Sequence, residues 1–212
     1  MDIVIFIAYG SFASPLIPLL LSFRLTRALP EIRLIQLLLW IGFVFDLTSL
    51  LLGRSKVNTY PIGNMFFLVQ TIILLLIYSE KFSESRIYLK IGGAIFTMFF
   101  LVNYFFIQGY NVLNFYSISL SALMFILLSL SYFAHLIRNL PEVYLHRMPM
   151  IWINIAVLVY YSGNLFLFIF NNYLSIGIGG NQRTMWILHN ILNISKNAIF
   201  LVAIWQNLRK IK

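Results

Sequence analysis

Seven runs of about twenty mostly apolar residues, near 3–23, 32–52, 61–79, 88–107, 112–134, 150–171 and 184–206, leave this chain little choice of fold. A helix crossing ~30 Å of hydrocarbon needs about 20 such residues. Inside lipid the backbone must satisfy its own polar groups, so each run is expected to be a helix and not a strand. The reading is an all-α integral membrane protein with seven transmembrane helices. Composition agrees: 61% of the residues are hydrophobic and 10% charged, where a soluble domain carries roughly 25% charged residues. Met1 and Asp2 open the chain with an acid and not a basic segment, and no small-residue cleavage site follows, so the first run is expected to be a retained helix. With no cysteine, disulfides, thiolate metal sites and cysteine nucleophiles are excluded.

The basic residues set a direction. Eleven fall in alternate connections and the tail: Arg24, Arg27, Arg33, Lys81, Arg86, Lys90, Arg138, Arg147, Arg209, Lys210 and Lys212. The other connections hold three, Arg54, Lys56 and Arg183. Lys and Arg accumulate on the cytoplasmic side of membrane proteins, so the N-terminus is expected outside and the C-terminus in the cytoplasm. The net charge of +9 is scattered over short loops, which speaks against a nucleic-acid partner. The longest flexible connection, Ser175 to Arg183, is too short for a soluble catalytic domain.

Two connections read alike, RALPEIRL from Arg27 to Leu34 and RNLPEVYL from Arg138 to Leu145, and each leads to a tryptophan, Trp40 or Trp152. Asn64 and Gln70 then share a spacing of six with Asn190 and Lys196. One reading is a 3+1+3 parallel repeat within a single domain of residues 1–212: repeat 1 over about 3–79, a linker helix at 88–107, and repeat 2 over about 112–206. The other reading is that Leu-Pro-Glu is a common way to start a helix, with proline in the first turn and an acid at the positive helix end.

Lys196 stands twelve residues into the seventh run, about 18 Å deep at 1.5 Å per residue. An unpaired ammonium there costs at least ~2.5–3.5 kcal/mol, so a partner is required. Asp46, about 10 Å deep in the second run, is the one acid expected at depth. Asn64, Gln70, Tyr161, Asn164, His189 and Asn193 fall in the same half of the bilayer. Positions 189, 193 and 196 follow helical steps of four and three and form one stripe; 190, 193 and 197 form an overlapping one. An outward-opening polar cavity is expected, walled by Phe66, Phe67, Tyr160, Tyr161 and Trp186; the competing reading makes the same polar groups interhelical glue. In the first run Pro15 and Pro18 are expected to bend the helix, with Ser11 and Ser14 satisfying the freed carbonyls.

The text WIN at 152–154, YYSGNLFLF at 160–168, NY at 172–173 and WILHNILNISKN at 186–197 resembles a widespread family of small bacterial seven-helix membrane proteins without an assigned activity, often encoded near sensor histidine kinases. The resemblance implies the bacterial inner membrane, a signalling neighbourhood and a cytoplasmic partner such as a histidine kinase. Where that family commonly places an acid on its third helix, this chain has Gln70. The architecture is also similar to microbial rhodopsins, which implies retinal as a Schiff base on Lys196 with Asp46 as counter-ion, although the third and seventh runs carry no acid. It is similar again to SWEET-type sugar transporters, whose site lies at the repeat interface, although their Pro-Gln loop signature is absent. Apart from the retinal alternative no cofactor or metal is expected. The functional expectation is a non-enzymatic receptor or sensor-like module binding a small ligand or a proton, with small-solute transport and retinal binding as alternatives. Intramembrane hydrolysis usually calls for paired carboxylates or an activated nucleophile, and a single deep acid speaks against it.

Overall fold

Pro15 has no amide hydrogen, so the Ser11 carbonyl one turn before it loses its helical donor. In the computed structural model the first run accordingly breaks into α1 (Ile3–Ala13) and α2 (Leu16–Ser22). Ser14 Oγ donates to the Ser11 carbonyl at 2.7 Å, the role expected of it, beside a longer bond of 3.3 Å from the Ser14 amide. The structure describes residues 3–139, 144–169 and 182–211. The second Leu-Pro-Glu copy and nearly all of the Ser175–Arg183 connection lie outside the described residues, as do Asp2 and the Asn-Tyr pair at 172–173.

The remaining elements are α3 (Pro30–Arg54), α4 (Tyr60–Lys81), α5 (Arg86–Val102) with a π-helical turn at Asn103–Ile107, α6 (Phe115–Asn139), a 3₁₀ turn at Leu145–Arg147, α7 (Pro149–Ile169) and α8 (Gln182–Ile211). No strand occurs among the described residues. Seven helical segments are long and apolar enough to cross a membrane: Ile3–Ser22, Pro30–Arg54, Tyr60–Lys81, Arg86–Ile107, Phe115–Asn139, Pro149–Leu167 and Met185–Arg209. This is the pattern of a multi-pass membrane protein. Large apolar side chains such as Phe6, Leu20, Met98, Phe106, Leu127 and Phe166 are exposed, as a lipid-facing surface requires.

Two boundaries have identifiable causes. The fifth helix begins at Phe115 and not at 112, because Asn64 on α4 holds the preceding backbone in a loop, donating to the Val112 carbonyl at 2.8 Å and accepting the Asn114 amide at 3.0 Å. At the end of α3, Lys56 takes φ 58. Its amide bonds the Gly53 carbonyl and that of Val57 bonds Leu52. This pair of bonds closes the helix by the motif that ordinarily uses glycine at the left-handed position.

The chain divides into two compact units. The first, Met1–Ile32 with Ala122–Lys212, contains α1, α2, most of α6, α7 and α8. In it α8 is the central rod, with α7 packed along it and α1 and α2 also against it. Its buried apolar residues include Leu19, Phe125, Ile153, Ala156, Phe200 and Ile204. Buried amides tie the helices together: Asn154 Nδ2 donates to the Ser129 carbonyl at 3.1 Å, and Asn207 Nδ2 to the Arg27 carbonyl at 3.2 Å.

The second unit, Arg33–Ser121, is built on the packing of α4 against α5. Phe96, Phe100 and Tyr104 form a buried aromatic cluster with Met65, Phe67 and Leu68 against it. Phe66 lies on α4 in the same unit, its ring 5.6 Å from that of Phe45 on α3 and in contact with the site of Gly42.

Candidate functional site

Helices can bring polar side chains together only where their backbones approach, and α7 and α8 approach closely at Gly163. A Cβ added there would lie 2.6 Å from Leu192 Cδ2, so with Leu192 in its present rotamer only glycine fits. Small residues at such crossings are the usual device for close packing in membranes. Positions 189 and 196 are seven apart, two turns of α8, and their side chains meet Tyr160 and Asn164 on α7, which are four apart.

Asn164 is bonded at both ends of its amide. Its Nδ2 donates to the Tyr160 carbonyl one turn back at 2.7 Å, which leaves Oδ1 to accept from His189 Nδ1, also at 2.7 Å. An amide oxygen only accepts, so His189 Nδ1 carries a proton and is the donor in this bond. The imidazole is framed by aromatic rings, Trp186 edge-on at 5.6 Å and Tyr160 at 6.0 Å. Asn164 is buried while Trp186 is exposed, so the cluster runs from the interior to the surface of its unit.

Below it, the Lys196 ammonium sits 4.4 Å from the centroid of the Tyr160 ring. Glu31 and Lys196 are the charged side chains buried among the described residues, Lys196 with 6% of its surface exposed. A cation on a desolvated aromatic face gains ~2 kcal/mol, against an insertion cost of at least ~2.5–3.5 kcal/mol. The ring therefore offsets most of the penalty but not all of it, and other groups around the amine must supply the rest. Tyr160 also packs edge-on against Tyr161 at 5.2 Å, and Tyr161, buried, lies 4.7 Å from Phe125.

The expected single stripe on α8 is split by what surrounds it. His189 and Lys196 face α7, whereas Asn193 and Asn197 face the break between α1 and α2. Asn193 Nδ2 donates to Ser11 Oγ at 3.0 Å and Asn197 Nδ2 to Ser14 Oγ at 2.7 Å. Asn193 thus acts as interhelical glue, and the Ser11 and Ser14 hydroxyls serve as acceptors, a role that the proline argument alone does not reveal. Their spacing of three against a spacing of four on α8 is the signal that pairs them.

Of the other expected site residues, Asn64, Gln70 and Asp46 belong to the second unit. Asn64 is buried and spent on the 112–114 loop; Gln70 is buried on α4; Asp46 is half-buried on α3. Of the expected cavity walls, Tyr160 and Trp186 frame the His189–Lys196 cluster with Tyr161 edge-on to Tyr160, while Phe66 and Phe67 pack within the second unit. Among the described residues no three His, Cys, Asp or Glu side chains converge as metal ligands. No family model matches this chain, and no curated protein or solved structure matches it either.

Proposed function

We propose that this chain is a receptor or sensor-like membrane module whose ligand, a small molecule or a proton, is received by the cluster of Lys196, Tyr160, Asn164 and His189. The observation that carries the reading is the buried ammonium of Lys196 on the Tyr160 face, two helical turns from a histidine whose Nδ1 is held by Asn164. A charge kept inside a membrane helix against its desolvation cost marks a functional position by default. The pairing of one cation with one hydrogen-bonding imidazole suits a small ligand with an acidic or acceptor group, or a proton shared by the imidazole.

In this reading the N-terminus faces outward and the basic connections and tail face the cytoplasm of a bacterium, where they contact a signalling protein such as a histidine kinase. The Arg and Lys asymmetry and the resemblance of residues 150–206 to proteins encoded beside such kinases support it. The 3+1+3 repeat is part of the same proposal, supported by the paired Leu-Pro-Glu connections.

Trp186, edge-on to His189, provides the assay. With the protein in nanodiscs, small carboxylates, inorganic phosphate or a pH step are applied while Trp186 fluorescence is followed in a variant whose other tryptophans are replaced by Phe. The reading expects a saturable change that Lys196→Met abolishes. Net uptake of any of these solutes into proteoliposomes, abolished by the same substitution, would replace the receptor with a transporter.

A further inference from the structure

The second unit holds a buried polar cluster that the Lys196 site does not involve. α5 does not end regularly: after Val102 it widens into the π-helical turn Asn103–Ile107, a rare geometry often found at functional positions. The amides of Gln108 and Gly109 both bond the Asn103 carbonyl, at 3.0 and 3.3 Å, and Gly109 leaves the turn at φ 85. Glycine enters that left-handed region without a Cβ penalty.

This path delivers the Gln108 side chain to the start of α6, where its Oε1 accepts the Tyr116 amide at 3.1 Å and Asn103 Nδ2 at 2.9 Å. Asn103 Nδ2 also donates to Ser117 Oγ at 2.9 Å. The Tyr116 amide can only donate, so Gln108 must present its oxygen, and Asn103 must in turn present its nitrogen. Asn103 Oδ1 therefore points away from these partners, buried and without a hydrogen bond.

Asn114 stands immediately before α6, where an asparagine side chain ordinarily caps the helix. Gln108 has taken that place, and the Asn114 amide is held by Asn64 Oδ1 at 3.0 Å. The Asn114 side chain is consequently spare: fully buried, with neither Oδ1 nor Nδ2 bonded.

Three atoms thus ask for partners: two oxygens need donors and one NH2 group needs acceptors. A cation would satisfy the oxygens but be repelled by the Asn114 amide hydrogens. An anion would accept from those hydrogens but be repelled by the oxygens, and an apolar group would satisfy none. A hydroxyl both donates and accepts. We propose that Asn103 and Asn114 form a buried binding site for a neutral hydroxyl-bearing ligand, water or a small polyol, which ties the π turn of α5 to the start of α6.

Two measurements test this, both on the full-length protein in nanodiscs. Removing an unsatisfied buried amide stabilises a protein, whereas removing one that holds a ligand destabilises it. Asn114→Leu leaves the backbone bond to Asn64 in place, and its Tm is expected to fall by roughly 4 °C or more. In wild-type protein labelled with ¹⁵N-asparagine, the Asn114 side-chain amide is expected to show a magnetisation-transfer peak to a bound hydroxyl proton. A peak in polyol-free buffer identifies water, and one that appears only on adding glycerol identifies a polyol; either sustains the proposal. A rise in Tm for Asn114→Leu, or the lack of a peak in both buffers, overturns it.

Discussion

Gly163→Ala should reverse its sign with the residue opposite it. The added Cβ would meet Leu192 Cδ2 at 2.6 Å, Cδ1 at 2.7 Å and Cγ at 3.2 Å. Comfortable carbon contacts begin near ~3.5 Å, so α7 and α8 must part or Leu192 must leave its rotamer. Overpacking of this kind costs about 1–3 kcal/mol. Against it, alanine gains about 1 kcal/mol over glycine in a helix interior. In the wild-type background the net effect is therefore a loss of about 0–2 kcal/mol. In a Leu192→Ala background all three crowding atoms are gone, and the same substitution should stabilise by about 1 kcal/mol. The coupling between the two sites is then about 1–3 kcal/mol, or a difference of roughly 2–12 °C between the two Tm shifts for a chain of this size. Thermal unfolding of the four proteins in one lipid environment measures it. Equal shifts in both backgrounds, within about 0.5 kcal/mol, would refute the close helix approach on which the Lys196 cluster is built.

Ser14→Ala should cost about 1–3 kcal/mol, because it removes the acceptor of the Asn197 amide and leaves the Ser11 carbonyl with only the long 3.3 Å bond from the residue 14 backbone amide. Ser11→Ala, which removes only the acceptor of Asn193, should cost less, and unfolding of the two variants side by side gives the order. Lys56→Gly should stabilise by about 1 kcal/mol, since φ 58 strains a residue with a Cβ and suits glycine; an unchanged or lower Tm would contradict the helix-closing geometry at the end of α3.

How far residues announce their structure here depends on whether the bilayer or a neighbouring side chain decides. The seven helices can be read from the sequence to within a few residues, because hydrocarbon thickness sets their length and a lipid solvent sets their composition. The break at Pro15 and its repair by Ser14 are equally legible, being local chemistry. The start of α6 is not, because Asn64, fifty residues away, captures the backbone at 112–114. At the site, Lys196 stands out as a lone cation in an apolar run, and His189 and Asn164 as polar residues beside it. The division of α8 into an α7-facing pair and an α1-facing pair is hidden: steps of three and four leave two adjacent faces open, and only the positions of Ser11, Ser14 and Tyr160 choose between them. The Asn103–Asn114 cluster escapes sequence reading for a related reason. An asparagine before a helix looks like its cap, and nothing in the spacing says that Gln108 has displaced it.

The central claim is that the Lys196 ammonium is held against the Tyr160 ring inside the protein and not against acyl chains. Solid-state NMR in bilayers tests it directly, with ¹⁵N-lysine and ring-labelled ¹³C-tyrosine, the Lys196 signal being assigned by its loss in Lys196→Arg. A dipolar contact between Lys196 Nζ and a tyrosine ring that vanishes in Tyr160→Leu is the expected result. Contact of that nitrogen with lipid methylene carbons, unchanged by Tyr160→Leu, would contradict the account.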